Sequence, residues 1–404
     1  MKKKGKVELH IVYVTPEFVT ESSGGGLASY LSNISRILAD HGHVITVVTS
    51  SEKNNDSLEW YPGVRVERVK KSGKWLVVPL YRLWESRKLH IRVKAINKLR
   101  RIELVQYASF DSVGFFHMKK TPSVVRISSD PVCWREYKVY DYKKEDINKL
   151  CLTDKIEYMA LKRIGNIYGP SYATADIISK RVGCKIPIIE SPFYLKKEEF
   201  DASLYTEKLK GKKYYLAHSS MSCLKGTHII AEVIKDICQQ DDDAYFVFAG
   251  SDHGIFYRDG RTETVKEYIL RLAGEYANRV IFLGTLKRNI LFPIIENAYA
   301  CMMPSRIDNM PNTCIEAMAM GKIVIGTRGA SYEQFIEDGI SGYLIDIDDT
   351  EGLIDAINKI GLLNEKERIN MCSEAMKITE RFEPEKIYQC IMEYYMNVVG
   401  KTGD

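Results

Sequence analysis

Pro304-Ser305-Arg306-Ile307-Asp308-Asn309-Met310-Pro311-Asn312-Thr313-Cys314-Ile315-Glu316-Ala317-Met318-Ala319-Met320-Gly321 is the stretch from which the architecture of this chain can be read. It follows an apolar run, Ala300 to Met303, that reads as a buried strand. It then enters a helical pattern expected to begin near Asn312-Thr313, since Asn and Thr are good N-cap residues. Backbone N–H groups and the positive dipole end would face a ligand there, and a diphosphate suits that position. Two carboxylates, Asp308 and Glu316, fall one in the loop and one in the second helical turn. A carboxylate accepts two hydroxyl hydrogen bonds well, which suits sugar and ribose. Read alone, the same residues also describe an ordinary helix entry followed by an ordinary helix glutamate.

Outward from this stretch, short apolar runs alternate with helical patterns. Strands are expected at Tyr214 to Ala217, Tyr245 to Ala249, Val280 to Leu283, Ile323 to Gly326 and Gly342 to Ile345. An earlier series holds strands at Glu8 to Thr15, Val44 to Thr49, Leu104 to Tyr107, Ser123 to Ile127 and Asn166 to Gly169. A helix with apolar residues at Leu27, Tyr30, Leu31, Ile34, Ile37 and Leu38 belongs to the same series. Strand, glycine loop, helix and strand in that order imply parallel sheets with helices on both faces. The chain of 404 residues is too long for one ordinary core, so two doubly wound α/β domains are expected. The boundary is placed at residues 195/196, in a linker running from Pro192 to Phe200. Ligands sit beyond the carboxyl ends of open parallel strands, so a cleft between two facing domains is the expected site.

Composition is 45% hydrophobic and 27% charged, that of a folded globular chain. No apolar run reaches the roughly 18 residues of a membrane helix, and the basic N-terminus leads into a strand rather than a secretion signal. Nine cysteines without a Cys-x-x-Cys pair point to free thiols in a reducing, cytoplasmic compartment. No His-Glu-x-x-His occurs among eight histidines, so neither a protein-ligated metal nor another cofactor is expected. Net charge is only +5, and nucleic acid is not an expected partner. Residues 70–101, however, carry eleven Lys/Arg, with Arg87, Lys88, Arg92 and Lys94 among them, against the single acid Glu85. Trp75, Leu80 and Trp84 lie in the same run. Two readings stand: peripheral contact with an anionic membrane, at the inner face of the plasma membrane, or a solvated helix face with its core side.

The segment around Asp308 and Glu316 resembles the Glu-x7-Glu element of glycosyltransferase family 4, with Asp at the first acid. Glu316-Ala317-Met318-Ala319, Gly321-Lys322, Val324-Ile325-Gly326 and Asp338-Gly339-Ile340-Ser341-Gly342-Tyr343-Leu344 are similar to that family as well. The resemblance implies a retaining transferase of GT-B fold: two facing Rossmann-like domains, residues 1–195 for the acceptor and 196–381 for the nucleotide-sugar donor. A last helix at about 382–404 would return to the first domain. It assigns Glu316 to the ribose hydroxyls, and Asp308, Asn309 and Met310 to the transferred sugar, with Asn312 and Thr313 beside the donor. Ser219 to Gly226 is similar to the family's Gly-Arg-x4-Lys-Gly. Lys225 would neutralise the diphosphate, while Ser220 stands where the family has Arg. Thr285 and Leu286, after Gly284, correspond to the loop that contacts the base. Ser22-Ser23-Gly24-Gly25-Gly26 matches the family's glycine loop, where Gly25 and Gly26 would approach the donor, although flexible turns look the same. Ser128 occupies the place of a cleft histidine, and Asp130 is the polar residue assigned a catalytic part nearby.

A nucleotide-diphospho-sugar donor and a lipid-linked or other surface-glycan acceptor are the expected substrates. A non-catalytic sugar-nucleotide-binding or partner subunit is the second reading, motivated by Ser220 and Ser128. An epimerase or phosphorylase on the same fold is the third.

Overall fold

The computed structural model describes residues 8–21, 25–53, 55–73, 77–136, 151–193, 200–252, 254–258 and 261–400. Two α/β units are present. The first holds the described residues of 1–131, 149–193 and 382–404, and the second those of 132–148 and 194–381. The linker residues 194–199 and the basic-run residues 74–76 lie outside the described residues.

The chain runs in order β1 (His10–Thr15), α1 (Gly26–Asp40), β2 (Val44–Ser51), β3 (Ser57–Tyr61), β4 (Val64–Lys70), α2 (Val78–Leu99), β5 (Leu104–Ala108), β6 (Ser123–Arg126), α3 (Pro131–Glu136), α4 (Leu152–Ile164), β7 (Ile167–Tyr168) and α5 (Tyr172–Val182). Its sheet order is β3-β4-β2-β1-β5-β6-β7. Every pair is parallel except β3 with β4. Central β1 is buried along its whole length, as a strand covered by helices on both faces must be. The β3–β4 pair lies outside the sequence reading. Alternation in Val64-Arg65-Val66 marks one buried face, and edge strand β3 is only half covered, so neither shows a continuous apolar run.

The second unit continues with α6 (Ser203–Lys208), β8 (Lys213–Ala217), α7 (Thr227–Gln240), β9 (Ala244–Phe248), β10 (Ile255–Arg258), β11 (Arg261–Thr264), α8 (Val265–Ala273), β12 (Val280–Phe282), α9 (Arg288–Glu296), β13 (Ala300–Met303), α10 (Asn312–Ala319), β14 (Val324–Thr327), β15 (Tyr343–Ile345), α11 (Thr350–Leu362) and α12 (Glu365–Thr379). Strands β12-β9-β8-β13-β14-β15 form one parallel sheet, and β10–β11 is a separate antiparallel hairpin. The core between this sheet and helices α7, α8 and α11 is aliphatic and aromatic, from Ile230 and Ile234 to Phe246, Phe248 and Ile357.

Helix α13 (Pro384–Gly400) belongs to the first unit. Its buried face, Ile387, Ile391, Tyr395 and Val398, recurs at helical spacing, and the last three join the core of β1, β2 and α1. Polar tips inside that core are satisfied by one another. Tyr13 Oη meets Tyr395 Oη at 3.2 Å, Tyr30 Oη meets Tyr168 Oη at 2.8 Å, and both Tyr168 and Tyr395 donate to Gln106 Oε1. Arg126 stacks over Tyr30 at 3.6 Å and donates to Ser191 Oγ at 2.7 Å.

Beyond β5 the backbone turns through two left-handed residues, Asp111 (φ 54°) and Ser112 (φ 55°). The buried Glu157 of α4 holds this turn, its Oε2 accepting from Ser112 N–H (2.6 Å) and Oγ–H (2.9 Å). Burial pushes the Glu157 carboxyl up to about 7 despite those two donors. Between the unfolded value of 4.5 and about 7 the folded chain binds a proton that the unfolded chain lacks. This group's contribution to stability is therefore complete below 4.5 and is lost as pH rises through about 7. Glu157→Gln keeps the shape without the charge. Thermal unfolding should show a smaller loss of Tm from pH ~5 to pH ~8 in the variant than in the parent chain, and an unchanged loss would show that Glu157 does not carry this dependence.

Candidate active site

Strands β8 and β13 are neighbours at the centre of the second sheet, so the segments that leave their carboxyl ends lie side by side. Arg306 N–H donates to Leu224 C=O at 2.9 Å. Gly226 has φ +67°, and a Cβ there would stand 1.7 Å from Pro304 O, so both conformation and space demand glycine. The turn after β9 presses equally hard: a Cβ on Gly250 would stand 1.8 Å from Ser219 O. These contacts aim Lys225 at Asp308, whose Oδ2 it contacts directly. The other carboxylate oxygen accepts Asn309 N–H at 2.9 Å, and the Asp308 carbonyl accepts Ser331 Oγ–H at 2.8 Å. Asn309 is buried and Met310 half-buried beside this pair.

Helix α10 starts where the sequence reading put it, but not by the expected cap. Pro311 holds the N-cap position without a side-chain bond, and Asn312 is already helical. The first bonds run from Cys314 N–H (2.9 Å) and Ile315 N–H (3.2 Å) to Pro311 C=O, so the N–H groups of Asn312 and Thr313 precede them. His218, directly after β8, supports this end, its Nε2 donating to Thr313 C=O at 3.1 Å. Burial lowers the His218 imidazole to about 4, which keeps it neutral near pH 7. Glu316 is buried, and burial raises its carboxyl, while the Arg288 charge and hydrogen bond at 3.0 Å pull it back. Arg288 opens α9, two residues after Leu286, so the segment carrying exposed Thr285 and half-buried Leu286 leads straight to Glu316.

Sequence reasoning passed over Arg288, His218 and a third cluster. Arg306 is buried and makes a two-pronged contact with Asp348 (2.7 and 2.5 Å), which also accepts from His228 Nε2 at 3.1 Å. Burial alone would raise the Asp348 carboxyl, but the bonds from His228 and Arg306 bring it down to about 2. Arg306 is thus a cation beside the Lys225 turn whose charge Asp348 already balances. Ser220 is exposed and adds no charge, and Ser219 is half-buried with its Oγ 3.5 Å from Ser220 O.

In the first unit, Ser22, Ser23 and Gly24 lie outside the described residues. Gly25 is extended (φ −92°, ψ 175°) and Gly26 opens α1, so neither uses the left-handed freedom expected of the glycine loop. Glycine fits position 25 because a Cβ would come 3.1 Å from Glu17 Oε1. Asp130 is fully buried, accepts Tyr158 Oη–H at 2.6 Å and pairs with Arg181 at 3.1 Å, which ties α4 to α5. Ser128 N–H donates to Ser109 Oγ at 2.7 Å. Beyond the carboxyl ends of β1, β2 and β5 lies a cavity of about 540 Å³, lined by Glu17, Glu21, Glu52, Glu85 and Asp111 with Lys71 and Arg82. Of these acids the sequence reading named only Glu85, as the single acid of the basic run.

Comparison with known proteins places this geometry. Residues 212–361 match the family described as glycosyl transferases group 1. The matched residues take in β8 to β15 and the segments that hold Lys225, Asp308 and Glu316. Sucrose-phosphate synthase from Thermosynechococcus elongatus superposes with a TM-score of 0.78 at 18% identity, over 98% of this chain and 100% of that one. Anabaena HepE, in complex with UDP and glucose, superposes at 0.69 with 17% identity, over 96% and 100%. The fold is GT-B. Among curated relatives, N-acetyl-alpha-D-glucosaminyl L-malate synthase of Bacillus anthracis is 32% identical over 124 residues, 30% of this chain and 32% of that protein. Spore coat protein SA of Bacillus subtilis is 25% identical over 161 residues, 39% and 42%. Such matches span less than half the length of the curated relatives.

Because the second unit depends on the β8 and β13 segments touching, Gly226→Ala should destabilise it by roughly 3 kcal/mol or more. Denaturant unfolding checks this; a loss below about 1 kcal/mol would mean that the two segments part easily.

Proposed function

We propose that this chain is a retaining glycosyltransferase of family 4 type that moves a sugar from a nucleotide-diphospho-sugar to a lipid-linked or other surface-glycan precursor. One observation carries the reading: Lys225–Asp308 and Arg288–Glu316 pair an accessible cation with a sheltered carboxylate beside the start of α10. Lys225 and Arg288 are 27% and 53% exposed, against 13% and 7% for their acids. An incoming diphosphate draws the two cations to itself. Asp308 is then released to the sugar hydroxyls and Glu316 to the ribose hydroxyls, while the α10 start faces the phosphates. Uridine diphosphate is the first donor base to try, given the ligand named for Anabaena HepE. The acid-lined cavity of the first unit suits a polyol acceptor, since carboxylates accept hydroxyl hydrogens. No metal or other cofactor enters this scheme.

Release of nucleoside diphosphate, assayed over UDP-sugars with glycan acceptors, tests it. Asp308→Ala, Glu316→Ala and Lys225→Ala should each lower kcat/KM by about 100-fold or more; full activity in the first two would remove the site. Exposed Ser220, in place of a cation, favours a second reading as a non-catalytic donor-binding subunit. Calorimetric donor binding with no turnover on any acceptor would select it.

We further propose a cytoplasmic location with peripheral contact at the inner face of the plasma membrane. The start of α2 supports it: Val77, Val78, Leu80 and Trp84 are all exposed. No described helix is long and apolar enough to cross a membrane. Lys88 and Arg92, expected to meet lipid, are instead engaged by Glu85 and Glu67. Apolar insertion therefore matters more than charge here. Leu80→Ser combined with Trp84→Ser should weaken sedimentation with anionic vesicles several-fold; undiminished sedimentation would exclude this surface.

A further inference from the structure

The opposite edge of the first sheet carries a feature that the proposed transfer does not use. A groove of about 1530 Å³ opens at the amino ends of β5 and β6. Three parts of the chain line it. His90, Lys94, Asn97 and Lys98 share one face of α2. The segments that precede β5 and β6 bring Arg101 and then Lys119 and Lys120, and the last turn of α4 brings Arg163.

Six cations thus face one carboxylate, Glu103. That acid already accepts His10 N–H at 2.8 Å and lies 3.8 Å from an Arg101 that is almost wholly solvated. Elsewhere on α2 three of the four cations are paired, Arg82 with Asp111, Lys88 with Glu85 and Arg92 with Glu67, while Arg87 is exposed. Among the described residues, Lys94, Lys98, Lys119 and Lys120 have no carboxylate partner. A basic helix end is ordinary, because cations complement the dipole there, but that does not account for Lys119 and Lys120, which sit on no helix. Phe115 and Phe116, packed edge-to-face at 5.2 Å, also line the groove, and Arg163 lies 4.4 Å over the Phe115 ring. An apolar wall beside clustered like charges strengthens any attraction to an anion.

We propose that this groove binds the phosphate groups of an anionic ligand, at a site separate from the donor-binding residues of the second unit. Four lysines and Arg163, with no carboxylate to answer them among the described residues, match the charge of a diphosphate or of clustered phosphomonoesters. Two histidines report on it. Burial lowers the imidazoles of His90 and His117, and neighbouring cations lower them further. Among the described residues, the buried Nδ1 atom of each has no hydrogen-bond partner. A bound phosphate reverses the local field and raises both.

The full-length chain is titrated with inorganic pyrophosphate while histidine ring signals are followed by NMR, His90→Gln and His117→Gln providing assignments. The expected result is a saturable shift of the His90 and His117 signals, each titrating at higher pH with ligand bound. Lys94→Ala/Lys98→Ala/Lys119→Ala/Lys120→Ala should weaken that response tenfold or more. A charge-matched Lys208→Ala/Lys210→Ala/Lys235→Ala/Lys366→Ala variant should keep it. Signals of His218 and His228 report separately on the donor-side residues, so failure there leaves this result intact. Sedimentation with phosphatidylglycerol vesicles, against phosphatidylcholine alone, separates the sources. Vesicle binding lost only in the groove variant marks a lipid headgroup, and a pyrophosphate response without it marks a free phosphate compound. Equal behaviour of the groove and control variants with both probes would overturn the proposal.

Discussion

The contact of Gly226 with Pro304 is the constraint on which the candidate site rests. Two parallel neighbours, β8 and β13, release their chains on the same edge, and only a residue without a Cβ lets those chains touch. That approach puts Lys225 on Asp308, and the Leu224–Arg306 backbone bond fixes the register of the two segments. His218 then supports α10 from below through Thr313. With the two segments apart, Lys225 would lose its place against Asp308.

Charge is held differently at each buried acid, and the difference separates support from chemistry. Asp130 is fully buried between Tyr158 and Arg181, and its partners come from the protein and leave little for a ligand. Glu316 and Asp308 are sheltered too, but each has one cation that reaches it from solvent. A carboxylate whose counter-charge can be drawn away is able to exchange partners; one with no exposed surface of its own, as at Asp130, is not. The same contrast appears along α2, where glutamates and an aspartate engage some cations and leave those in the groove unanswered.

Much of the fold was legible because parallel strands buried on both faces read as continuous apolar runs. Ala300–Met303 and Val44–Ser51 are of that kind. Strand β4 was not, since Val64-Arg65-Val66 alternates, and β3 lies at a half-covered edge. The start of α10 was placed correctly for the wrong reason: Asn312 has the chemistry of a cap, but Pro311, with its fixed φ, already occupies that position. The partners of Asp130 were not legible, because local sequence does not show that Tyr158 and Arg181, far along the chain, will meet it.

The sequence by itself determined the alternation of strands and helices, the glycines that permit close approach, and the spacing that sets Asp308 and Glu316 on either side of a helix start. These are local properties, written in periodicity and residue type over a few turns. Tertiary structure decided which cation meets which acid. Arg288 and Glu316 stand 28 positions apart, and Lys225 and Asp308 stand 83 apart. Neither separation carries a period that a reader could detect, and only the order of strands in the sheet brings the partners together. The basic groove follows the same rule: its lysines are visible in the sequence, but their lack of carboxylate partners is a property of the folded chain.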